Sequence, residues 1–106
     1  MTNAKDELLF MLEQEPNPYK RDPLKIKCAY LTFLERTIIL KQNYSQQDYE
    51  RFLDILDYKY DSGYGNQEMK GHVWLEDGTW LERGEYDGSE WWEHKVLPEI
   101  PEECFN

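Results

Sequence analysis

Gly71 to Val96 reads G-H-V-W-L-E-D-G-T-W-L-E-R-G-E-Y-D-G-S-E-W-W-E-H-K-V, and the expectation for the fold starts from it. The stretch holds all four tryptophans, Trp74, Trp80, Trp91 and Trp92, and two Asp-Gly pairs, Asp77-Gly78 and Asp87-Gly88. Asp-Gly accepts the positive φ angles that tight hairpin turns need, so each pair marks a chain reversal. The reading is an antiparallel meander with strands over 70–76, 79–86 and 90–96. A two-residue turn at Asp77-Gly78 sets Leu75 opposite Trp80 and Trp74 opposite Leu81.

Upstream, residues 2–15 predict a first helix, with Thr2 or Asn3 as N-cap and Asp6 and Glu7 at the favourable end of the dipole. Leu8, Leu9, Met11 and Leu12 give it a buried side, Pro16 and Pro18 end it, and 17–21 is a loop. Asp22-Pro23 opens a second helix to about Lys41, apolar on more than one side from Leu24 to Leu40. The β-branched run Thr37-Ile38-Ile39 leaves a strand at its end as the alternative. The absence of a turn signal between Leu24 and Leu40 favours helix throughout. Ser45 to Asp48 resembles a capping box and starts a third helix over 46–60, with Tyr49, Phe52, Leu53, Leu56 and Tyr60 as its core stripe. A second stripe, Glu50, Asp54, Asp57 and Asp61, stacks four carboxylates along one face, where like charges repel weakly. Gly63-Tyr64-Gly65 lacks the preceding strand and the Lys-Ser/Thr ending of a phosphate loop. The tail after Val96 carries Pro98 and Pro101 and is expected to be extended, with Leu97, Ile100 and Phe105 able to pin it.

These elements predict a single α+β domain over 1–106, three helices packed on a three-stranded antiparallel meander. The helical part covers about 2–60, the tryptophan-rich meander about 70–96 and the tail 97–106. With 106 residues, 40% of them hydrophobic, the chain can build one modest core. No apolar run approaches the roughly 20 residues of a membrane span, and the acidic start is unlike a signal peptide. Cys28 and Cys104 have neither metal-ligand spacing nor disulfide density, so a reduced cytoplasmic setting is expected.

The net charge is −10, and it is segregated: −2 over 1–22, +3 over 23–44, −4 over 45–68 and −7 over 69–106. A field of that sign repels nucleic acid and membranes and steers basic partners inward, although acids also serve plain solubility. Trp91 and Trp92 are strand neighbours and point to opposite faces, so one is core and one is outward. An outward tryptophan rimmed by Glu85, Glu90 and Glu93 is a candidate anchor for a basic partner, or a shelf for a sugar or base. Trp74 and Trp80 pose the same choice. His72 and His94, with Glu82 or Glu85, make a metal site only if strand faces agree. Glu82 and Glu85 as an acid/base pair, and either cysteine as nucleophile, are weaker readings. No cofactor is expected.

The string D-G-T-W-L-E-R-G-E-Y-D-G-S-E-W-W (77–92), followed by P-E-I-P at 98–101, resembles the C-terminal signature of small tailed-bacteriophage accessory proteins. The resemblance covers the last third of the chain and implies a host-cell cytoplasmic setting, with no catalytic residues to carry over. It points to a non-enzymatic acidic protein that binds and inhibits, or redirects, a host protein with a basic surface. Takeover or anti-defence roles, including imitation of DNA charge, belong to that class. In this expectation the rail Glu50, Asp54, Asp57 and Asp61 engages a basic groove while the aromatic ribbon anchors it. The alternatives are a sugar- or nucleotide-binding module and a virion or assembly component.

Overall fold

The computed structural model describes residues 1–13, 23–63 and 65–105. In chain order it comprises β1 (Thr2–Asn3), α1 (Ala4–Glu13), β2 (Ile26–Phe33), β3 (Arg36–Leu40), α2 (Gln46–Leu56), β4 (Lys59–Tyr60), β5 (Met69–Leu75), β6 (Trp80–Tyr86) and β7 (Ser89–Lys95). A short 3₁₀ turn, Glu102–Phe105, closes the tail. Among the described residues there are thus two α-helices, not three. The main sheet has five antiparallel strands in the order β3-β2-β5-β6-β7, and β1 pairs β4 in a small second sheet. The fold remains α+β, but three helices on a three-stranded meander is wrong.

The error lies in Leu24 to Leu40, which is a hairpin. From Ala29 onward the side chains alternate: Ala29, Leu31 and Phe33 are buried while Tyr30 is exposed, and across the turn Ile38 and Leu40 are buried while Ile39 is exposed. That period of two is the signature of a half-covered strand. A bulge between Ile26 and Cys28 shifts the phase, so Ile26 and Ala29 are both buried although three residues apart. Spacing of three imitates one helical turn, which is how the stretch passes for a helix. The reversal falls at Leu34-Glu35, with φ of 50° and 65°. These are the angles that Asn-Gly normally supplies, and Leu-Glu gives no turn signal. Asp22, Pro16 and Pro18 and the loop over 17–21, expected to bound the helices here, lie outside the described residues.

α1 takes Asn3 as its cap, since Oδ1 accepts the Asp6 N–H at 3.0 Å, and buries Ala4, Leu8 and Leu12 at spacing four. α2 carries the expected capping box, Asp48 N–H to Ser45 Oγ at 3.0 Å and Ser45 N–H to the Asp48 carboxylate at 3.1 Å. It stops at Leu56, short of the expected 60. Tyr60 is buried, but from β4, where Thr2 pairs Tyr60 and Asn3 pairs Lys59.

The meander is present as β5, β6 and β7, with one register change. The loop from Leu75 to Thr79 has three residues, closed by Leu75 N–H to Thr79 C=O at 2.9 Å, with Gly78 at φ 88°. Trp74 therefore faces Trp80 and Val73 faces Leu81, one position off the expected pairs. The second reversal falls at Asp87-Gly88, as the sequence predicts, in a two-residue turn that pairs Tyr86 with Ser89. Both helices cover one sheet face. Leu8, Phe52 and Leu56 join Leu31, Phe33, Val73, Leu81 and Trp92 in a single buried cluster. Among the described residues no helix lies on the other face. Among the described residues no helix is long and apolar enough to cross a membrane.

Candidate functional site

Strand pairing determines what the uncovered face displays, because residues directly opposite one another share a face. One row runs Ile39, Tyr30, His72, Glu82, Glu93, and the next runs Cys28, Trp74, Trp80, Lys95. Gly84 pairs with Trp91 beyond them. Five large apolar residues of this face stand open: Tyr86 at 77% exposure, Tyr30 and Ile39 at 53%, Trp74 at 40% and Trp91 at 37%. A soluble chain normally scatters such residues singly, so a shared face of this kind marks an interaction surface.

The rings are held, not loose. His72 stacks on Trp74 with centroids 5.5 Å apart. Trp80 Nε1 donates to Glu82 at 3.0 Å, and Trp91 Nε1 donates to Glu93 at 3.0 Å. Each indole is thus tied to the carboxylate two residues on, along its own strand. Trp91 lies across Gly84: a Cβ there would come within 2.7 Å of Trp91 Nε1 and 2.8 Å of Glu93 Oε1. Glycine makes the bed for the ring. The Trp91 N–H, and then Lys95 at 3.1 Å, hold the Glu93 carboxyl below its ordinary range.

The covered face carries a different feature, a buried ionic cluster where β5 and β6 part. The Arg83 side chain is 1% exposed and donates to Glu7 at 3.0 Å, to Glu90 at 2.7 Å and to the Tyr60 hydroxyl at 2.8 Å. Its guanidinium lies 4.9 Å from the Trp92 ring centroid. Burial alone would lower the Arg83 pKa, but Glu7, Glu90 and Tyr60 together raise it above the ordinary guanidinium range. Burial first, and then donation to Glu7, push the Tyr60 hydroxyl above the ordinary phenol range. Glu90, 4% exposed, also accepts the N–H groups of Glu68 and Met69 at 2.7 and 3.0 Å, supplying acceptors where the ladder with β6 has ended. These hydrogen bonds tie α1, β4, β6 and β7 together, while the Arg83 Nε and Trp92 Nε1 hydrogens are buried without a partner among the described residues.

The sequence-derived residues divide accordingly. Trp74, Trp80 and Trp91 share the open face, while Trp92 is core at 6% exposure. Glu90 is no rim residue, because it is buried against Arg83, and Glu85 takes the Gly88 N–H at 3.2 Å in the adjacent turn. The acidic rail is interrupted. Glu50 and Asp54 stand exposed on α2, but Asp57 ends the helix, accepts Asn3 Nδ2 at 2.8 Å and meets Lys5 at 3.8 Å. Asp61 lies beyond β4 and accepts the Gly63 N–H at 3.0 Å. Because α2 covers the opposite sheet face, rail and aromatic ribbon sit on opposite sides of the molecule and form no common grip.

His72 is on the open face. His94 pairs with Leu81 on the other and contacts Thr79 Oγ1 at 2.8 Å. Glu82 and Glu85 likewise point to opposite faces. Neither the histidine–carboxylate set nor the carboxylate pair is assembled, and among the described residues no cluster of three metal-ligating side chains occurs. Sequence reasoning missed Tyr30, Ile39 and Arg83. The first two were hidden by the helical reading of 22–41, although the Ala29-to-Phe33 alternation was the available signal. Arg83 had only the inward parity of Leu81 to reveal it. Comparison with protein-family models, curated proteins and solved structures gives no match to this chain.

Proposed function

We propose that this chain is a non-catalytic binding protein that docks a partner protein on its open sheet face. The observation that carries the reading is the set of Tyr30, Ile39, Trp74 and Trp91, exposed together on a face that no helix covers among the described residues. Aromatic residues in such a patch supply most of the energy of a protein interface. The partner is basic in this reading. The net charge of −10 steers cationic surfaces inward, and Glu82 and Glu93 lie beside the indoles, where an arginine or lysine gains both a carboxylate and a ring. With the resemblance of Asp77 to Trp92 to phage accessory proteins, our reading takes the partner to be a host-cell protein that binding inhibits or redirects. Glu50 and Asp54 then add to the steering field and are not a second half of the grip.

Affinity capture from bacterial lysate, with and without phage infection and at two salt concentrations, tests this. A partner held by the wild type and lost by Trp74→Ala/Trp91→Ala supports the open face; a partner kept by that variant sinks it. A second reading rests on the His72–Trp74 stack, which offers a flat shelf to a sugar or nucleotide ring. Saturable quenching of tryptophan fluorescence by one member of a ligand panel, abolished in Trp74→Ala, would favour it.

A further inference from the structure

Apart from the open face, the sheet has two edges, and they are not alike. Around a two-residue hairpin turn the flanking pair exchanges backbone hydrogen bonds, and the next residues point their N–H and C=O away. For β6 and β7 this rule turns the Glu90 backbone outward, and its N–H donates to Ser62 C=O at 2.7 Å. The same rule applied to Leu34-Glu35, with Phe33 paired to Arg36, turns Thr37 and Ile39 outward on β3. Among the described residues no backbone partner meets them. β3 carries no proline and no bulge, two of the usual protections of an edge.

Beside this edge runs a groove of about 340 Å³ between β3 and α2, with Ile38, Leu40, Phe52 and Ile55 in its lining. Its rim is basic on an otherwise acidic chain. Lys41 and Arg51 line the groove and are exposed, while Asp48 is committed to the Ser45 cap and reaches Arg51 only at 3.7 Å across a surface pair of little strength. At physiological salt, charges act over roughly 8 Å, so the rim and not the net charge governs contact here.

We propose that β3 is a strand-addition site for an extended segment of a partner protein. The segment's backbone pairs with Thr37 and Ile39, its alternate aliphatic side chains enter the groove against Phe52 and Ile55, and an acidic residue meets Arg51 or Lys41. The site adjoins the open face at Ile39, whose side chain belongs to that face and whose backbone belongs to the edge, but its groove lies on the covered side between β3 and α2. The tail of a second copy, with Glu99, Glu102 and Glu103, fits the charge but not the backbone. Pro98 and Pro101 have opposite parity, so either register presents a missing donor to the edge.

Selection from a random twelve-residue peptide library on the whole chain tests the site. The result expected is enrichment of alternating aliphatic sequences with an acidic residue, together with slowed amide exchange at Thr37 and Ile39 when a synthetic winner is bound. Thr37→Pro removes an outward donor while leaving the ladder to β2, and it should weaken that peptide by at least about tenfold, against little change for Thr37→Val. Should Thr37→Pro fail to fold, the exchange measurement on the wild type decides alone. Equal binding by the two variants, enrichment of helical or proline-spaced peptides, no enrichment, or exchange unchanged at Thr37 and Ile39 would overturn the proposal. A concentration-dependent dimer dissolved by Thr37→Pro would overturn it too, by giving the edge to a second copy.

Discussion

Arg83 and Glu90 are the charged pair on which the most stability depends, since both side chains are at most 1% exposed. Charges buried this deeply are tolerated only while each keeps its partner. Arg83→Met strands the Glu90 carboxylate and is expected to cost about 3–5 kcal/mol in urea unfolding. Removing Glu90 as well should not restore stability, because the Glu68 and Met69 N–H groups then lose their acceptor. Near-wild-type stability of the double variant would show that the pair, not the backbone caps, is what Glu90 serves. The pH dependence also belongs to single residues. The Asp48 carboxyl is held below its ordinary range by the Ser45 backbone and side chain, and Asp77 by Thr79. For a depressed carboxyl the unfolded chain binds the proton first. The contribution is therefore present above about pH 4 and lost as the pH falls through the lower folded value. Asp48→Asn should flatten the acid limb of a melting-temperature profile. At the alkaline end the signs reverse. Tyr44 and Tyr49, chiefly by burial, and Tyr60 keep their protons above the ordinary phenol range. Stability should decline above about pH 10, with tyrosinate absorbance rising together with loss of circular dichroism.

At the scale of elements, the β2–β3 turn stores strain that the sequence did not need to accept. Leu34 and Glu35 both sit in the left-handed region, at roughly 1 kcal/mol or more each for residues with a side chain. Leu34→Asn/Glu35→Gly supplies the residues this turn prefers and should stabilise the protein by about 1–2 kcal/mol. Unchanged stability would mean that the 38%-exposed Leu34 side chain gives back as much through packing. On β6, Gly84→Ala has a selective consequence. The atoms nearest the added methyl belong to the Trp91 ring and the Glu93 carboxylate, both movable side-chain ends, so stability should change little while Trp91 is lifted from the sheet. Partner binding should weaken nearly as much as in Trp91→Ala, a comparison readable by capture yield.

For the whole molecule, helices on one side and aromatics on the other separate steering from holding. If the acids steer, Glu50→Gln/Asp54→Asn should slow association a few-fold, lessen its salt dependence and leave dissociation unchanged. Trp74→Ala should do the reverse, speeding dissociation. Stopped-flow measurements on the captured partner separate the two effects, and a large change in dissociation from the acidic variant would show that the rail touches the partner after all.

Local chemistry was enough to specify the elements whose signals are local. Ser45 and Asp48 name their own cap, Asn3 starts α1, Asp87-Gly88 turns β6 into β7, and alternation separates Trp91 from Trp92. The parts decided by tertiary structure are those whose cause lies elsewhere in the chain. Leu24 to Leu40 is apolar enough for either a helix or two strands, and pairing with β5 chose strands, with a bulge at Ile26–Cys28 that disguises the period of two. The extra residue in the Leu75–Thr79 loop moved Trp74 opposite Trp80, which local turn preference alone did not require. The rail failed because α2 ends at Leu56 so that Lys59 and Tyr60 can pair with the N-terminal strand, carrying Asp61 off the helix. Which residues share a face depends on partners far apart in sequence, and a candidate binding surface is made of such sharing.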